Sequence, residues 1–174
     1  MKRNTPLTML SLKENSKVVV VGPPGSGKTK VGNLLGADSG LPVYSADNFI
    51  GTPHVQALHA VMQACGDDGF IIEGLIGYKW LRKRKRLGLP NPDIVIQLSA
   101  SDQQIRDAYK KRGKPCNLTL ITKFIEAHDK ILEEYYLLDG DLPRIYLHGT
   151  SPQIAYLIAG RLEEIDKKKN NDSP

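Results

Sequence analysis

Gly22-Pro23-Pro24-Gly25-Ser26-Gly27-Lys28-Thr29 fits the spacing G-x-x-x-x-G-K-[ST] at every fixed position. Residues of these types at this spacing can wrap a polyphosphate. The glycines let the loop turn back so that successive backbone N–H groups face the phosphates, and a following helix adds its positive N-terminal end. Lys28 would reach the β- and γ-phosphates, the Thr29 hydroxyl would hold Mg²⁺, and Lys30 extends the binding segment. The chemistry implied is binding of a nucleoside triphosphate.

Such a loop needs a strand before it and a helix after it, and both are written in the sequence. Val18-Val19-Val20-Val21 closes a strand over 17–21 that is apolar almost throughout, as a central parallel strand buried on both faces should be. A helix is expected over 29–35, with 36–41 as its stop and turn. Further strands are expected over 42–46, 70–72, 93–98 and 144–147. Helices are expected over 53–65, 78–87, from about 102 to 111, over 119–138, and in a last segment ending near 165. The regular alternation argues for an α/β fold whose parallel sheet is covered on both faces.

Ligands of open parallel sheets bind beyond the carboxyl ends of the strands, which draws attention to Asp47 after the second strand and Glu73 after the third. A carboxylate there can take a proton from an attacking hydroxyl, and another acidic group can bind Mg²⁺, the role expected of Glu73 beside Thr29. The segment 106–114 carries Arg106, Lys110, Lys111, Arg112 and Lys114 around Gly113. Mobile cations of this kind can close over a transferring phosphoryl group, with Arg112 the first choice and Arg106 the second.

A second basic run, Lys79, Arg82, Lys83, Arg84, Lys85 and Arg86, divides between solvated helix surface and a grip on acceptor phosphates. Tyr78 and Trp80 fit core packing better than base stacking. The four histidines show no metal spacing, and only His148, in the loop after the last strand, borders an expected nucleotide base.

The 174 residues suit one domain, and the net charge of +5 suits any polyanionic partner without specifying nucleic acid. Nothing resembles a membrane span. Residues 1–16 read as a short cytoplasmic lead-in, 17–165 as the folded domain with a lid near 110–118, and 166–174 as a polar tail. Cys65 and Cys116 stand far apart without CxxC spacing, as free thiols do.

On the loop, on the strand Asp93-Ile94-Val95-Ile96-Gln97-Leu98 followed by Arg106 and Lys111-Arg112-Gly113, and on Ser45-Ala46-Asp47, the chain resembles the P-loop kinases. That group includes nucleoside monophosphate kinases, shikimate-type kinases and polynucleotide 5′-hydroxyl kinase-like proteins. The resemblance implies a three-layer fold with sheet order 2-3-1-4-5, ATP as donor, Mg²⁺ as cofactor, and Asp47 at the acceptor hydroxyl. No arginine follows Asp47 in the Asp-x-x-Arg manner of many polynucleotide-kinase-like proteins.

The function expected is therefore an ATP-dependent phosphotransferase acting on a nucleotide, nucleoside or related small acceptor. A polynucleotide 5′-hydroxyl kinase and a nucleotide-dependent regulatory ATPase are the rivals. A GTPase is disfavoured, because Thr122-Lys123-Phe124-Ile125 lacks the Asp of the N/T-K-x-D base-reading motif.

Overall fold

The computed structural model describes residues 12–49, 51–138 and 144–147. The expected last helix, the tail and His148 lie outside the described residues.

Five parallel strands form one sheet: β1 (Lys17–Val21), β2 (Val43–Ser45), β3 (Phe70–Glu73), β4 (Ile94–Leu98) and β5 (Arg144–Leu147), in the order β2-β3-β1-β4-β5. The run of four valines takes the centre because a strand paired on both edges and covered on both faces has no place for a polar side chain. All four valines are fully buried. Alternate residues serve opposite faces. Val18 and Val20 join Ile71, Ile94 and Ile96 under Val31 and Leu35 of α1 (Lys28–Ser39). Val19, Val21 and Val95 meet Tyr78 and Leu81 of α3 (Leu75–Leu87) and Leu132 of α5 (Leu118–Leu138). Phe70 and Ile72 pack with Ala57, Leu58 and Val61 of α2 (His54–Cys65) and with Ile76 and Trp80 of α3. Helices thus cover both sides of the sheet in three layers.

Trp80 is wholly inside, edge-on to Phe70 at 5.0 Å, and its indole N–H donates to the Pro90 carbonyl at 3.0 Å. Both Tyr78 and Trp80 are core residues of α3. The helix lies close to the sheet at Gly77, where a Cβ would come within 2.9 Å of Val19 Cγ1 and 3.1 Å of Val21 Cγ1.

Several element ends differ from the sequence expectation. α1 runs through Gly36 to Ser39, with Gly40 as its C-cap. Gly36 does not stop the helix; it admits Val43, whose side chain fills the space a Cβ would need. β2 is shorter than expected and passes into a 3-10 turn, Ala46–Phe49, where Asn48 Oδ1 accepts the Ser45 amide at 2.7 Å. α3 starts a turn early, directly after Gly74, and Ile76 in its first turn enters the apolar layer. α4 (Asp102–Lys111) opens on a full capping box between Ser101 and Gln104.

Candidate functional site

The loop Gly22–Thr29 leaves the carboxyl end of β1 and feeds α1. Gly25 and Gly27 stand at φ +82° and +85°, a region that L side chains rarely enter. Gly25 is also pressed against α4: a Cβ there would collide with the Gln104 carbonyl and touch Ala108. The α1 N-terminus follows, with Gly27 as N-cap and no side chain capping it. α2 and α3 are likewise without a side-chain cap, and uncapped first-turn amides keep their capacity to bind an anion.

Lys28 is half-buried, and its Nζ donates to the Pro23 carbonyl at 3.4 Å, folding the ammonium back over the loop. Ser26 is only 3% exposed, and among the described residues its hydroxyl has no hydrogen-bond partner. A buried hydroxyl left in that state costs free energy. Lys30 is exposed on α1. An open helix end, a folded-back ammonium and an orphaned hydroxyl within one loop fit a polyphosphate.

β3 brings its final residue to the same place. Glu73 pairs in register with Val20 of β1 and Ser45 of β2 and is only 2% exposed. Its Oε1 accepts the Thr29 hydroxyl at 3.2 Å. The expected partnership of Thr29 and Glu73 is thus a contact. Among the described residues no group of three or more His, Cys, Asp or Glu could form a metal cage.

Asp47 lies in the 3-10 turn just beyond Ser45, and so at the carboxyl edge of the sheet near Glu73. Its side chain lies outside the described residues. Arg112 is the C-cap of α4 and is exposed. Gln104, Ala108 and Arg112 follow one another at four-residue steps, so Arg112 continues the face of α4 that meets Gly25. Arg106 is exposed too, but two residues from both Gln104 and Ala108 it occupies the opposite flank. The expected lid region, near 110–118, takes in the last residues of α4, the loop between α4 and α5, and the first residue of α5.

Sequence reasoning missed a buried polar cluster beside the loop. Gln97, whose register partner Val21 immediately precedes the loop, donates from Nε2 to Asp129 Oδ1 at 3.2 Å. Next to Asp129, His128 is buried with its Nδ1 2.7 Å from the Phe124 carbonyl, and its ring meets Tyr78 at 4.3 Å and Phe124 at 3.9 Å. Burial pushes the His128 pKa down; Lys79 and Arg82 push the same way, against the Phe124 carbonyl and Asp129. Burial, then Asp129, raises that of Tyr78. The available signal was Gln97 itself, a polar residue in an otherwise apolar strand.

No protein-family model matches the chain, and no curated protein matches it. Solved structures do. A gluconokinase from Sinorhizobium meliloti is similar over 94% of this chain and 100% of its own, with TM-score 0.62 and 16% identity. A sugar kinase from a Janibacter species is similar over 86% and 95%, with TM-score 0.51 and 21% identity. A deoxyadenosine kinase from M. mycoides, solved with bound dATP, is similar over 84% and 99%, with TM-score 0.53 and 17% identity. The fold is that of the P-loop kinases. Among the described residues no helix is long and apolar enough to cross a membrane.

Proposed function

We propose that this protein is an ATP-dependent phosphotransferase that moves the γ-phosphoryl group to a hydroxyl of a small acceptor. The observation that carries the reading is the uncapped, glycine-turned loop between β1 and α1, closed at its far end by the Thr29–Glu73 contact. The loop amides and Lys28 would hold the triphosphate, with Gly22, Pro23, Pro24, Gly25, Ser26 and Gly27 shaping the cradle and Lys30 at its rim. Thr29 and Glu73 would hold Mg²⁺, which when bound neutralises charge on the phosphate oxygens.

Asp47 would accept the proton of the acceptor hydroxyl as its oxygen attacks the γ-phosphorus. The bond from that phosphorus to the β,γ-bridging oxygen breaks, and ADP leaves with the electron pair. Arg112, on the loop-facing side of α4, would meet the charge spread over the transferring group. Arg106, on the opposite flank, would serve as a second cation only if α4 turned. Among acceptors, a nucleoside, a nucleotide or a sugar-like polyol is favoured, since the proteins of like fold are named as sugar and deoxynucleoside kinases.

The test is a screen with γ-labelled ATP against nucleosides, nucleotides, sugars and short oligonucleotides. Label in one acceptor class supports the reading. ATP binding without label in any acceptor would leave a regulatory ATPase as the better description.

A further inference from the structure

The basic run on α3 separates into two sets. Arg84 is buried at 4% exposure, donating from Nε to Asn91 Oδ1 at 2.9 Å and from Nη1 to the Leu81 carbonyl, so it is a structural arginine. Lys85 is engaged as well. The remaining four, Lys79, Arg82, Lys83 and Arg86, line one groove of about 340 Å³. They stand at positions i, i+3, i+4 and i+7 and make no hydrogen bond or ion pair among the described residues.

Like charges at these spacings oppose one another on a helix. The helix dipole accounts for a cation only within the last turn, which contains Arg86 but not Lys79, Arg82 or Lys83. Lys79 and Arg82 also lie close enough to buried His128 to act on its imidazole, where Asp129 of α5 acts in the opposite sense. Among the described residues no side chain pairs with these four cations, and a polyanion laid along them would do so.

We infer that this face of α3 binds the sugar-phosphate backbone of a nucleic acid. The row spans roughly 10 Å along the helix, about three steps of ~3.4 Å rise and so four successive phosphates of one strand. Two of its four members are arginines, whose fork matches phosphate oxygens in pairs. Its apolar residues Ile76, Trp80 and Leu81 are committed to the core, so α3 has no free apolar face with which to enter a lipid surface. With Tyr78 and Trp80 buried, α3 offers no aromatic platform for bases. Recognition therefore runs through phosphates and is indifferent to sequence. This surface stands apart from the phosphate loop, and its occupation does not require the kinase reading.

The test is fluorescence anisotropy of the full chain with labelled single- and double-stranded oligonucleotides over a salt series, with anionic vesicles and polyglutamate as competitors. The expected log–log salt slope is near −3 for four contacts to a single strand, at about −0.7 per contact. The paired substitution Arg82→Gln/Arg86→Gln should flatten it by about 1.4, and so should Lys79→Gln/Lys83→Gln. Circular dichroism matching the parent identifies variants that have kept the fold. Lys28→Ala should leave the slope unchanged, which separates this surface from the loop. A slope unaltered in both folded pairs, absence of oligonucleotide binding, or equal displacement by vesicles or polyglutamate would overturn the inference.

Discussion

The hydroxyl of Thr29, in the first turn of α1, donates to the buried carboxylate of Glu73 at the end of β3, 3.2 Å away. Two neighbouring strands, β1 through its loop and β3 directly, thereby deliver one hydroxyl and one carboxylate to a single point. Glu73→Gln keeps the shape and most of the hydrogen bonding while removing the charge. The expected result is a raised Mg²⁺ requirement for turnover with the thermal midpoint close to the parent's. A magnesium titration of phosphotransfer checks it, and an unchanged half-saturation point would remove Glu73 from the metal site.

Replacing Lys28 with Ala removes the ammonium that folds over the loop. Turnover should fall on the order of 10²-fold or more, by analogy with loss of one preorganised charge-stabilising donor. Triphosphate affinity should weaken as well. Initial rates with γ-labelled ATP and a binding isotherm measure both, and near-normal phosphotransfer would contradict the assignment.

Gly25→Ala places a methyl group against the Gln104 carbonyl at a residue whose φ is +82°. The backbone strain alone is worth roughly 1–3 kcal/mol, and the collision adds to it because the obstacle is helix backbone. A lower thermal midpoint and loss of triphosphate binding are expected together. Full retention of both would mean that α4 does not brace the loop.

Trp80 is the chain's one tryptophan, and it is fully buried against Phe70. Its fluorescence reports unfolding directly. Phe70→Ala, which leaves the reporter in place, should cost about 3–5 kcal/mol in urea titration, the range for truncating a core aromatic. A cost below 1 kcal/mol would deny that this pair anchors α3.

His128 gives stability a pH dependence of definite sign. Burial holds its folded pKa below the ordinary 6.5, so the unfolded chain binds the proton more readily. This contribution is complete above about pH 6.5 and is lost as the pH falls through that value toward the folded pKa. His128→Gln should flatten the pH dependence of the urea midpoint between pH 7.5 and 5.5. An unaltered profile would show that His128 does not carry the pH dependence of stability.

Much of this architecture was legible because its signals are local. A run of four valines can only be an interior strand, and glycine-rich spacing followed by Lys-Thr announces the turn that leaves it. Where the expectation missed, the deciding partner was distant in sequence. Gly36 reads as a stop until Val43 occupies the space beside it. Arg84 reads as one more surface cation until Asn91 and the Leu81 carbonyl bury it. Gln97 and Asp129 are 32 residues apart, and no periodicity links them. Arg112 and Arg106 read as first and second choice within one basic segment, yet a helix of 3.6 residues per turn sends them to different sides of α4.

The close seating of α3 at Gly77 governs more than the core. With no side chain between helix and sheet at this point, α3 is seated directly on Val19 and Val21, and the cations on its outer face share that seat. Enlarging Gly77 would lift α3 from the strands and displace its outward cations together with the core beneath them.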